Sequence, residues 1–165
     1  MRVSDIHNRL NYKHFMSILV PFNQYESMLI EVKLIHKQKE KFMDYESDII
    51  PLLKEYEGTT LRSISGKADL TVEYVSEEEY TVRCSDGKAF TETHKRAKEV
   101  FEQLQNDNVV HVDAALENSG SRRNVPETLI ANLPFVEHGK INKRKHLFLK
   151  AEETHVIGTL KESGE

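Results

Sequence analysis

Pro126 and Pro134 leave the residues between them few options. A proline is tolerated in the first turn of a helix, where its missing N–H would be unpaired anyway, but it ends a helix that has already begun. The two therefore fence one short helix. Leu129, Ile130 and Leu133 supply its inward side, Asn124 stands at the N-cap position, and Glu127 follows three residues on at the capping-box position.

The neighbours of this helix are also well marked. From Thr93 to Gln105, Ala97, Val100, Phe101 and Leu104 recur at helical spacing. After Asn106-Asp107-Asn108 comes the apolar run Val109-Val110-His111-Val112. Asp113 is then placed to cap a short helix from Ala114 to Asn118, and Gly120 stands where such a helix needs a left-handed residue to stop. Downstream, Phe135 and Val136 begin one strand and Leu147 and Leu149 lie on a second, joined by the polar stretch Glu137 to Lys145.

The order is helix, extended piece, short helix, tight turn, helix, basic hairpin. At this spacing it resembles the winged helix-turn-helix domains, over residues 91–150. The resemblance is one of pattern, with no invariant motif. It implies that the short helix and turn brace the next helix, so that its N-terminal end can enter a major groove of double-stranded DNA. Arg122 and Arg123 would then face guanine edges and phosphates, with Ser121, Asn124, Thr128 and Asn132 as short hydrogen-bonding groups near or on the exposed face. Lys140, Lys143, Arg144 and Lys145 would belong to the wing, with Lys143 to Lys145 at its tip against a phosphate strand or in a minor groove. One departure stands out: from Pro126 to Leu133 there is no Lys or Arg, and Glu127 and Glu137 flank the segment. Winged domains also grip proteins, so the same shape admits a protein partner.

Charge supports the nucleic-acid reading through its distribution. The chain carries a net −4, but between Gly120 and Lys150 seven cations (Arg122, Arg123, Lys140, Lys143, Arg144, Lys145, Lys150) stand against two acids, Glu127 and Glu137, a net of +5. The remainder has sixteen cations against 25 acids, a net of −9. A basic footprint on an acidic body suits contact with phosphates. The bland reading is that lysines on an exposed hairpin only keep it soluble. The acidic body suggests a second class, an inhibitor or adaptor of a nucleic-acid enzyme whose surface mimics nucleic acid.

The rest of the chain completes an α+β expectation: N-terminal helices, a small antiparallel meander, a C-terminal winged helix-turn-helix. In residues 1–58, one helix would use Ile6, Leu10, Phe15 and Leu19. A second, over Gln24–Lys41, would use Tyr25, Met28, Leu29, Val32 and Ile35, with Asn23 as its cap. A third would use Ile49, Leu52, Leu53 and Tyr56, with Pro51 in its first turn and Gly58 as its stop. These stripes could pair in a homodimer, the usual route to helix-turn-helix specificity, or cover the meander within one chain. In residues 59–90, Leu70, Val72 and Tyr74, and then Tyr80, Val82 and Cys84, alternate with polar residues as strands do, and Asp86-Gly87 marks a tight turn. Residues 151–165 read as an acidic tail with a frayed end.

Candidates for chemistry are weaker. Glu31 and Lys33 in an apolar run resemble the metal strand of PD-(D/E)xK nucleases, with Asp5 or Glu26 as the upstream acid, but the helical stripe through the same residues is the stronger pattern. The eight histidines show no metal spacing, and the Gly-Lys pairs Gly66-Lys67 and Gly87-Lys88 lack the phosphate-loop spacing. Cys84 reads as a small hydrophobe in a strand, and as the sole cysteine it allows no internal disulfide. No secretory leader or apolar membrane span is legible. The expectation is a cytoplasmic, non-enzymatic DNA-binding protein, a transcriptional regulator, with no cofactor.

Overall fold

In a computed structural model the chain divides into two compact units, residues 1–41 and 42–165. The residues described are 42–116 and 122–164. The two expected helices before Phe42, the Glu31–Lys33 pair, Gly120 and Ser121 all lie outside the described residues. The described unit is an α+β assembly of two antiparallel sheets and several short helices.

It begins with a π-helical turn, Tyr45–Ile49, which runs directly into α1, Ile50–Lys54. Asp44 caps the turn by accepting from the Ser47 amide at 2.9 Å, and Pro51 sits in the first turn of α1 as its missing N–H requires. Ile49, Leu53 and Tyr56 are buried together. Gly58 adopts φ 78°, reverses the chain, and donates its N–H to Val72 O.

The first sheet has the order β1 (Thr60–Leu61), β2 (Leu70–Val75), β3 (Glu79–Cys84), β4 (Ala89–Thr93). Its alternation sends Leu61, Leu70, Val72, Tyr80 and Val82 into the core. The other face carries cross-strand hydroxyl pairs, Thr60 with Thr71 at 2.9 Å and Thr81 with Thr91 at 2.8 Å. A register shift between Val72 and Tyr74 turns Tyr74 out to solvent, so the expected inward alternation breaks at that residue. Cys84 is only half-buried.

The chain continues through α2 (Lys95–Asp107), β5 (Val109–Val110), α3 (Val112–Ala115), α4 (Asn124–Ala131), β6 (Val136–Ile141) and β7 (Arg144–Leu149). Ala97, Val100, Phe101 and Leu104 of α2 are fully buried, as their spacing requires. The second sheet has the order β5-β7-β6, so the two-residue strand after α2 pairs with the second arm of the hairpin, which becomes the central strand. Leu129, Ile130, Leu133 and Leu147 close this core at zero exposure, each stabilising the fold by roughly 1.5–3 kcal/mol.

The two halves are joined by a buried aromatic contact. His94, at the head of α2, packs edge-on against Tyr45 and Tyr80. Its Nε2–H donates to Ser76 O at 3.0 Å, and Nδ1 accepts from Tyr45 Oη at 3.1 Å. Burial holds this imidazole below its ordinary pKa.

Four local expectations are corrected. Asp113 is not the cap of the short helix: that helix starts at Val112 from an N-cap at His111, and Asp113 lies in its first turn. Asn124 is the first helical residue of α4 rather than its cap, and Glu127 forms no capping box because its carboxylate is drawn away to Lys145. The stretch Glu137 to Lys145 is no long loop. It is strand except for a two-residue turn, Asn142-Lys143, whose φ values of 51° and 66° match the twist of a tight hairpin. The tail is not frayed through the described residues. His138 N–H donates to Lys161 O and Ser163 N–H to His138 O, so the tail lies parallel to β6 along its edge. No described helix is long and apolar enough to cross a membrane.

Candidate functional site

Six of the side chains singled out for contact, Arg122, Arg123, Asn124, Lys143, Arg144 and Lys145, border one groove, between the α3–α4 segment and the β6–β7 hairpin. At one end a cavity of about 320 Å³ is bordered by Asp113, Arg122, Arg123, Asn124 and Lys145. At the other, a cavity of about 210 Å³ is bordered by His111, Lys143 and Arg144. Both share Val112, Asp113, Glu127 and Lys145, so they form one continuous channel. Five cations and two acids line it, a net of +3 with histidines neutral.

The cations fall into two groups. Arg123 pairs with Asp113 at 3.2 Å. Arg122, at φ 63°, lays its guanidinium 4.2 Å over the Phe90 ring and 3.8 Å from Glu92, both on β4. Lys145 reaches the buried Glu127 at 2.7 Å, and Lys150 reaches the buried Glu137 at 3.0 Å. These four neutralise charges of their own fold. Lys140, Lys143 and Arg144 are exposed, and among the described residues they enter no ion pair.

Glu127 and Glu137, each 5% exposed, are therefore anchors for the hairpin rather than repellent surface charges. Burial opposes ionisation of Glu137, but hydrogen bonds from Lys150, Lys161 and Ser163 outweigh it and hold its pKa at about 2. A Cβ at Gly139 would come within 3.0 Å of the Phe148 ring, so a side chain there would have to displace that ring. At the groove the His111 ring lies tilted against that of His146, with centroids 5.1 Å apart. His146 Nδ1–H donates to Arg144 O at 2.9 Å, which steadies the start of β7.

Thr128 and Asn132 do not lie on an exposed face. Both are 0% exposed, and every residue of α4 from Val125 to Ala131 is buried. The C-terminal end of the helix is held by the first half of the unit and by the tail. Tyr56 Oη donates to Leu129 O, Asn132 Nδ2 to Arg62 O, and Gly158 N–H to Asn132 O. Asn124, half-buried at the start of α4, is among the described residues the one neutral member of the expected set that borders the groove. Sequence reasoning missed His111 as a groove residue. It also missed Phe90 and Glu92 as partners of Arg122, for they belong to a strand far from it in the chain.

No protein-family model, curated protein or solved structure matches the chain.

Proposed function

We propose that residues 91–150 form a winged helix-turn-helix and that the chain binds double-stranded DNA without acting on it chemically. The order helix, strand, short helix, helix, hairpin and the sheet order β5-β7-β6 support the architecture. The observation that carries the function is the hairpin tip. Lys140, Lys143 and Arg144 are three exposed cations beside a groove of net positive charge, with no acid of the described fold spent on them. Cations so placed are free to displace counterions from a phosphate backbone. On this reading the protein is a DNA-binding regulator, and the wing makes the principal contact.

Fluorescence anisotropy with a labelled random duplex tests this. Three phosphate contacts give log affinity against log salt a slope of about −2.7, so binding falls about 40-fold between about 50 and 200 mM salt. The variant K140A/K143A/R144A should lose nearly all of that slope. A triple variant with unchanged affinity and slope would rule out the wing. If no duplex binds at low salt while a protein partner co-purifies, the interaction reading replaces this one.

A further inference from the structure

We infer that the groove grips duplex DNA by its phosphate backbone, and that α4 does not read sequence in the major groove. This rests on the DNA reading above. Reading bases in the major groove takes an element that enters it with exposed side chains on its leading face. The helix at the corresponding place is α4, and it has no such face: Val125 to Ala131 are buried on every side. The burial is structural in origin, because Leu129 and Asn132 are bonded to Tyr56, Arg62 and Gly158. Docking α4 in a groove would require breaking those bonds and exposing the core residues Leu129 and Ile130.

The two arginines just before this helix are committed as well. Arg122 is stacked on Phe90 and paired to Glu92, and Arg123 is paired to Asp113. A bidentate guanine contact would have to compete with those partners. Of the cations in residues 120–150, those left without an ion pair among the described residues are Lys143 and Arg144 at the tight turn and Lys140 on β6. Lys140 and Lys143 bind phosphate as point charges with little directional information, and the Arg144 fork fits phosphate oxygens as well as it fits guanine. A tip that slips into a minor groove meets a pattern that separates only A·T from G·C pairs. The ligand is therefore the double-helical backbone, recognised by charge and shape.

The test uses the full chain and two measurements. In the first, duplexes of about 20 base pairs with random, A·T-rich and G·C-rich sequence compete for a labelled random duplex, and their affinities should agree within about threefold. In the second, repeated selection from a randomised duplex pool should enrich no base pattern beyond an A·T or G·C bias. A selected sequence that binds tenfold or more above the pool, and loses that advantage in Arg122→Ala or Asn124→Ala, would overturn the backbone reading while leaving DNA as the ligand. Absence of binding to every duplex at low salt would overturn both statements together.

Discussion

Arg122-Arg123 and Lys143-Arg144 are two basic doublets on the two walls of one groove, and their surroundings differ completely. The first doublet leads into a helix whose neighbours in space carry Glu92, Phe90 and Asp113, so both guanidinium groups are paired within the fold while staying partly exposed. The second stands at a two-residue turn, and among the described residues neither of its cations enters an ion pair. The same division runs through the whole basic window. Arg122, Arg123, Lys145 and Lys150 hold the fold together, while Lys140, Lys143 and Arg144 are left for a partner. A formal charge count treats these seven alike, yet only a cation without an internal partner can release counterions from a phosphate strand.

The largest effect expected from probing this division lies in the tied group, at Glu137. Its pKa is lowered from 4.5 to about 2, so its contribution is fully present above about pH 4.5 and is lost as pH falls from there towards 2. Urea unfolding across that range should show on the order of 2 kcal/mol disappearing, a loss absent from Glu137→Gln. An identical acid profile in the variant would mean that Lys150 and Lys161 are not held by this carboxylate.

The next effect separates stability from binding at the free tip. Lys143 has φ 66°, a conformation that glycine adopts without strain and lysine does not. Lys143→Gly should therefore raise unfolding free energy by roughly 0.5 kcal/mol, while the salt slope of duplex binding shrinks by about 0.9. If stability and affinity moved in the same direction, the tip would be a structural turn and nothing more.

The smallest effect concerns Arg122. Its ion pair and ring contact are about half-exposed, so Arg122→Ala should cost about 0.5–1 kcal/mol of stability by urea unfolding. Affinity for random duplex should stay within about twofold, since the phosphate contacts lie elsewhere. A larger loss of affinity than of stability would move Arg122 into the free group.

Elements whose signals are local are legible in the residue order. Ala97, Val100, Phe101 and Leu104 recur at helical spacing, and α2 buries those four. Asp86-Gly87 marks a turn, and there Gly87 N–H donates to Cys84 O and Cys84 N–H to Lys88 O. Pro126 and Pro134 fence α4, because proline's effect on its own turn depends on nothing remote. Asn124 and Glu127 mislead as a cap and capping box because a nearby cation competes for the same carboxylate: Lys145 binds Glu127 across the hairpin. Thr128 and Asn132 mislead for a related reason. A short polar side chain on a helix reads as solvent-facing unless another element covers it, and here both side chains are fully buried, with Asn132 donating to Arg62 O.

The candidate groove shows the same split. Local order brings α3, α4 and the hairpin together, so Arg123, Asn124, Lys143 and Arg144 are found on it by reading along the chain. His111 enters it because β5 pairs with β7, a contact between residues far apart in sequence. The series of elements and the gathering of seven cations on one segment follow from residue order alone, since periodicity, proline chemistry and charge are properties of neighbouring residues. Which of those cations are free, and whether α4 has a face to offer, depends on long-range packing. Ion pairing and burial are set by what folds back from elsewhere: Glu92 and Phe90 from β4, Tyr56 and Arg62 from the first half, and Gly158 from the tail.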